Sequence, residues 1–112
     1  IVFNQYYTHP VCTPTRTALY TGRYAFRYNL SIPLDIGQRR YLPPDVDTLP
    51  EMMRANGYST HLVGKWHAGA ARWDNFPFSR GFDTFYGISG AYVDLYTHQQ
   101  CWPNWDGRPY PH

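Results

Sequence analysis

Proline and glycine interrupt this chain so often that no secondary-structure element can run far. Ten Pro and nine Gly account for 19 of 112 residues, roughly 17% against a usual total of about 12%. Short elements joined by long loops are the expected form. Disorder is excluded, because it calls for few aromatic residues and a high net charge. Here aromatics make up 19%, with eleven Tyr and four Trp, and the net charge is +2. No basic run exceeds the pair Arg39-Arg40, so the electrostatic footprint of a nucleic-acid binder is missing. No apolar stretch approaches the roughly 18 residues of a membrane span. Two cysteines, Cys12 and Cys101, cannot form the dense disulfide framework of a small secreted scaffold. The chain opens on Ile1-Val2-Phe3 and closes on Tyr110-Pro111-His112, neither of which reads as the designed edge of a protein. Residues 1–112 are therefore expected to be part of a longer chain, truncated at both ends.

Residues 1–7 have the β-branched and aromatic content of a strand and run into His9-Pro10-Val11-Cys12-Thr13-Pro14. Pro14 suits the first turn of a helix over residues 14–20, with Thr13 as candidate cap and Gly22 just past the end. Cys12 then sits at a strand-to-helix corner. Residues 29–44 read as a long loop. Thr48-Leu49-Pro50-Glu51 is a capping box that opens a second helix, whose body is residues 52–56 and which Gly57 stops. Residues 58–63 alternate as a strand that ends at Gly64-Lys65-Trp66-His67, and one more short strand is expected near residues 82–86. Strand, helix, helix, strand predicts an α/β fold with parallel strands.

Two constellations can carry chemistry. The N-terminus of a helix offers partial positive charge and unpaired N–H groups, which favour an anion. Cys12 stands there, and Arg16, one turn on, adds a guanidinium that can hold an oxyanion bidentately. A nucleophile site that handles anions is one reading; a structural cysteine, or one paired with Cys101, is the other. Lys65, the single lysine beside nine arginines, and His67 lie at the C-terminal end of a strand, where open α/β sheets build their sites. Two residues apart on an extended segment, they would face one ligand as a cation and a proton-transfer group. Two solvated side chains in a loop is the plain alternative.

Together these stretches resemble the type I sulfatases. Cys12-Thr13-Pro14-Thr15-Arg16, followed after four residues by Thr21-Gly22-Arg23, is similar to the modification signature C-x-P-x-R-x4-T-G. Gly57-Tyr58-Ser59-Thr60 through Gly64-Lys65-Trp66-His67 resembles the second signature. Within the family the chain looks most like the arylsulfatase B subfamily of N-acetylgalactosamine-4-sulfatases. That subfamily has stretches similar to Arg80-Gly81-Phe82-Asp83-Thr84-Phe85-Tyr86-Gly87 and to Tyr96-Thr97-His98.

The resemblance implies part of the N-terminal catalytic domain of an alkaline-phosphatase-like α/β/α sandwich, with a mixed, mostly parallel sheet. It also implies hydrolysis of sulfate esters, on glycans such as those with N-acetylgalactosamine 4-sulfate units. Cys12 would be oxidised to formylglycine by the formylglycine-generating enzyme, which Pro14 and Arg16 would direct. One hydroxyl of the hydrated aldehyde would attack sulfur, and loss of the other's proton would release the sulfate. Arg16 would steady the diol, Lys65 would bind the diol and a sulfate oxygen, and His67 would serve proton transfer. A calcium ion would polarise the sulfate, with residue 12 as a ligand; its other ligands and a further Lys and His fall outside these residues, so this segment alone should not turn over substrate. Asn29-Leu30-Ser31 is a glycosylation sequon in a predicted loop, compatible with a lysosomal or secreted protein, or a periplasmic one in a bacterium.

Ala68 stands where the subfamily has Leu, which is expected to be a packing matter, and Cys101 lacks the partner it has there. His9 and His61 are expected to be structural or exposed, and Trp66, Trp73, Trp102 and Trp105 either pack or stack on sugars. A sulfated-glycan-binding module without catalysis is the alternative reading. A phosphoesterase of the same superfamily is disfavoured, because such enzymes use Ser or Thr as nucleophile.

Overall fold

The computed structural model describes residues 1–35, 37–94 and 96–98; Cys101, Trp102 and Trp105 lie outside them. Four regular elements carry the fold. Helix α1 spans Cys12–Thr21 and helix α2 Leu49–Ala55; strand β1 spans His61–Lys65 and strand β2 Thr84–Ile88. The strands pair in parallel, Leu62 opposite Phe85 and Gly64 opposite Gly87. A parallel pair needs a crossover of a dozen or more residues. Residues 66–83 supply it with two 3₁₀ turns, Trp73–Asn75 and Pro77–Arg80, in place of an α-helix. The strands approach closely at their glycine pair, where a Cβ on Gly87 would lie 1.7 Å from the Gly64 carbonyl oxygen.

Both helices stop where their sequence signals predict, and α2 also starts where its capping box predicts. Gly22, in the left-handed region at φ 65°, ends α1 and donates its N–H to Ala18 O at 2.8 Å. The capping box of α2 is formed, Glu51 accepting the Thr48 N–H at 2.7 Å. Three expectations are corrected. Residues 1–7 form no strand: β propensity is realised only against a neighbouring strand, and no described segment pairs with them. The partner of β1 is the downstream β2. Helix α1 begins at Cys12, with Val11 as its cap residue, so Cys12 is the first helical residue and Thr13 does not cap. Finally, β1 starts three residues later than residue 58, because Thr60 directs its N–H to the Asp83 carboxylate at 2.9 Å and its hydroxyl to Gly81 O.

Two apolar clusters flank the sheet and loop. Tyr20 of α1 stacks on Trp66 at 4.6 Å between ring centroids, and Phe82 meets Trp66 edge-on at 6.3 Å. Ala68 completes this cluster, with Leu62 and Phe85 packed against it. Trp66 is therefore a core residue, its indole N–H satisfied by Gly69 O at 2.8 Å. The second cluster, Ala25, Leu30, Leu34 and Leu42, folds the long 29–44 loop onto itself.

A buried arginine joins this loop to α2. Arg80, 1% exposed, donates from Nε to Glu51 at 3.1 Å and from Nη1 to the carbonyls of Leu42 (3.3 Å) and Pro43 (2.9 Å). Nη2 donates to the Val46 carbonyl. Gly81 lets it come so near, since a Cβ there would lie 2.4 Å from the Glu51 nitrogen. Removing a buried charge strands its partner and its acceptors. Arg80→Met should therefore cost about 3 kcal/mol or more, read as a lower denaturation midpoint of the protein, with Arg80→Lys recovering only part of it. A loss within experimental error would show that the loop is held by other contacts.

Candidate active site at the start of α1 and the end of β1

The first turn of α1 and the exit of β1 are joined by side chains from both. Thr13 Oγ1 donates to the His67 carbonyl at 3.1 Å and accepts the Leu34 N–H at 3.1 Å. From one turn along α1, Arg16 Nη1 donates to the Lys65 carbonyl. Cys12, Arg16, Lys65 and His67 are thus brought to one region by two elements and the 29–44 loop. Cys12 is half-buried and forms no disulfide among the described residues. No side chain caps α1, so the N–H groups of its first turn keep their capacity to bind an anion.

His67 is the most constrained residue of the group. It is 2% exposed, and at φ 49° it occupies the left-handed region, which costs a non-glycine residue energy unless its surroundings hold it there. Its N–H donates to Ser89 O at 3.1 Å, its carbonyl accepts from Thr13, and its ring Nε2 lies 2.7 Å from Leu34 O. A carbonyl can only accept, so Nε2 carries the hydrogen and Nδ1 keeps a lone pair. Nδ1 is buried and has no hydrogen-bond partner among the described residues, as is true of Arg16 Nε. Strand alternation does not orient Lys65 and His67 as the sequence suggests, because the left-handed His67 breaks the extended geometry between them. Hydrogen bonding to α1 and the loop fixes the histidine instead.

Burial lowers the His67 pKa, and the Lys65 and Arg16 cations add to this, against the Leu34 carbonyl and the Asp35 carboxylate. The balance favours the neutral ring. Desolvation, and after it the Asp35 carboxylate and the nearness of Cys12, raise the Tyr92 phenol. Asp35 also lines a cleft of about 410 Å³ that reaches His67 and is walled by residues 34, 35, 37–40, 69–71 and 89–91.

Sequence reasoning singled out Cys12, Arg16, Lys65 and His67, which the fold brings to one region, and missed the contacts that join them. Thr13 reads as a cap in the sequence and is a tie between three segments in the structure. The Leu34 carbonyl has no sequence signal at all. His9 sits edge-on to Tyr24, with ring centroids 5.8 Å apart, and His61 Nδ1 lies 2.8 Å from Thr84 Oγ1. Among the described residues no group of three or more His, Cys, Asp or Glu could hold a metal ion.

A family model described as Sulfatase matches residues 1–111. Arylsulfatase J of Mus musculus is 43% identical over 102 residues, which cover 90% of this chain and 17% of that protein. The solved structure of Ps i-CgsB superposes with a TM-score of 0.72 at 36% identity, over 77% of this chain and 19% of that one. The same protein in complex with k-i-k-neocarrahexaose gives 0.72 at 34%. PsFucS1 sulfatase from Pseudoalteromonas sp. gives 0.66 at 36%, covering 77% of this chain and 17% of that one. The chain thus spans less than a fifth of the length of these relatives. The likeness identifies its α/β arrangement as alkaline-phosphatase-like.

Because His67 binds its proton more weakly when folded, the stability tied to its neutral form is fully present above its unfolded value of about 6.5. It is lost as the pH falls from there toward the lower folded value. Asp83 is held below the ordinary carboxylate range by the Thr60 backbone N–H and Asp94 by that of Thr97, so both titrate in more acid solution. Between pH 7.5 and 5 the melting temperature of the full-length protein should fall, and more steeply than in His67→Gln, which keeps an amide donor for Leu34. Equal slopes would contradict the assignment.

Proposed function

The chain belongs to the sulfatase family, and from that premise we propose that it is part of the N-terminal catalytic domain of a sulfuric ester hydrolase acting on sulfated glycans. The observation that carries this reading is the joining of the Cys12 helix start to Lys65 and His67 through Thr13 and Arg16. Both signature stretches thereby serve one anion-binding region. The k-i-k-neocarrahexaose bound to Ps i-CgsB supports a carbohydrate substrate, and N-acetylgalactosamine 4-sulfate units are the first to try.

Cys12 is the residue that would be converted to formylglycine by the generating enzyme. Its half-buried thiol, in no disulfide among the described residues, and the neighbouring Arg16 Nε, without a hydrogen-bond partner among them, fit that group. When formed, it supplies a geminal diol as nucleophile toward sulfur. Arg16, tethered by Nη1 to the Lys65 carbonyl, has its Nε available to that group. Lys65 brings an ammonium to the sulfate oxygens, where negative charge is greatest. His67 holds its Nε2 hydrogen on Leu34 O and presents Nδ1 as the acceptor for a proton. Calcium, which the family implies, is not fitted by the described residues alone; its further ligands would come from elsewhere in the protein.

Among the described residues no helix is long and apolar enough to cross a membrane. Asn29 is exposed at the end of the 3₁₀ turn Ala25–Tyr28, as glycosylation of a lysosomal or secreted protein would require.

Mass spectrometry of the peptide containing Cys12, taken from full-length protein co-expressed with the generating enzyme, should show the aldehyde. Cys12→Ala should lower hydrolysis of 4-nitrophenyl sulfate by about a thousand-fold or more. An unmodified thiol together with no hydrolysis by the wild type would refute the proposal and favour a binding module that does not catalyse.

A further inference from the structure

The cleft beside His67 has a charge pattern that cleavage of one sulfate does not require. Its small residues, Gly69, Ala70, Ala71, Gly90 and Ala91, leave room, and its volume of about 410 Å³ lies within the range of small-ligand clefts. The charged groups lining it are Asp35, Arg39 and Arg40, and His67 lies beside them. Two of the three are held in a relay. Asp35 accepts from Gln38 Nε2 at 3.2 Å, and Gln38 Oε1 accepts from Arg40 Nη2 at 2.7 Å; Arg40 Nη1 also donates to Asn29 O at 3.4 Å.

Arg39 stands outside this relay. It is exposed, and among the described residues its guanidinium makes no hydrogen bond and no ion pair. A guanidinium at the rim of a roomy cleft is suited to an oxyanion, which it can bind with two parallel hydrogen bonds. The relay matters because it occupies the one carboxylate of the cleft with an amide, leaving Arg39 unneutralised.

We infer that Arg39 forms an anion subsite of the same active site, binding a second oxyanion, sulfate or carboxylate, carried by the glycan next to the sulfate ester that is cleaved. The inference rests on the sulfate-ester reading and deepens it, since it names the substrate class as polyanionic glycans. A simple surface arginine, by contrast, would speed encounter with any anion alike.

Binding separates the two. Full-length protein carrying Cys12→Ala is titrated calorimetrically with three probes: a monosulfated hexasaccharide, one with a sulfate on every repeat, and one with a single sulfate and uronate carboxylates. Adding Arg39→Gln should weaken the second or third probe about tenfold more than the first, as expected for one charged hydrogen-bonding group lost. Arg39→Lys should give an intermediate loss. Whichever polyanion responds identifies the second group. Equal losses for all three probes, no loss for any, or no binding of either polyanion before Arg39 is changed would each overturn the subsite. Turnover by the wild type is measured separately. An inactive protein that still shows the Arg39-dependent preference would refute hydrolysis and leave the subsite standing, whereas an active protein without the preference would refute the subsite alone.

Discussion

The hydroxyl of Thr13 is the point on which the site depends. It is fully buried, and by donating to His67 and accepting from Leu34 it fastens a helix, a strand exit and a loop with one oxygen. The Leu34 carbonyl closes the ring by accepting the His67 Nε2 hydrogen. A residue in the left-handed region is retained only when the surroundings over-determine it, and His67 meets that condition through bonds at its N–H, its carbonyl and its ring. Without Thr13 the histidine would lose the tie that aligns it with the helix bearing Cys12 and Arg16.

Arg80 does for the far end of the loop what Thr13 does for the near end. Its guanidinium holds the carbonyls of Leu42, Pro43 and Val46, and through Glu51 it reaches the start of α2. Leu42 in turn donates its N–H to Ala68 O at 3.0 Å, one residue beyond His67. A loop with little regular structure is thus fixed at Leu34 and at Leu42. The cleft-lining residues 35 and 37–40, Arg39 among them, lie between these two anchored points.

Elements governed by local chemistry were legible in the sequence. The capping box at Thr48 and Glu51 and the glycine stop at Gly22 need only neighbouring residues, and both are formed. The strand expected over residues 1–7 failed for the opposite reason, since a strand depends on a partner that local sequence cannot name. The site divides along the same line. Cys12, Arg16, Lys65 and His67 stand out by type and spacing, whereas Thr13 and the Leu34 carbonyl act across 54 and 33 residues of separation from His67. Trp66 shows how composition can mislead: a tryptophan beside candidate catalytic residues invites a sugar-stacking role, yet it is sealed between Tyr20 and Phe82.

The electrostatics of the region turn on the pairing of a neutral histidine with nearby cations. Lys65 and Arg16 both disfavour a proton on His67, and burial disfavours it more. The cations of Lys65 and Arg16 thus stand beside a histidine whose neutral form burial favours. An arriving anion reverses that balance. Negative charge near His67 Nδ1 would raise its affinity for a proton, by the same reasoning that makes Asp35 raise it now, so binding of the anion and readiness to accept a proton are coupled. Arg16 Nε and His67 Nδ1 are buried polar atoms without partners among the described residues, a cost to folding that a site tolerates when a ligand supplies the missing partners. The unsatisfied atoms and the positive field thus point to the same requirement, an oxyanion that brings acceptors to the arginine and charge to the histidine together.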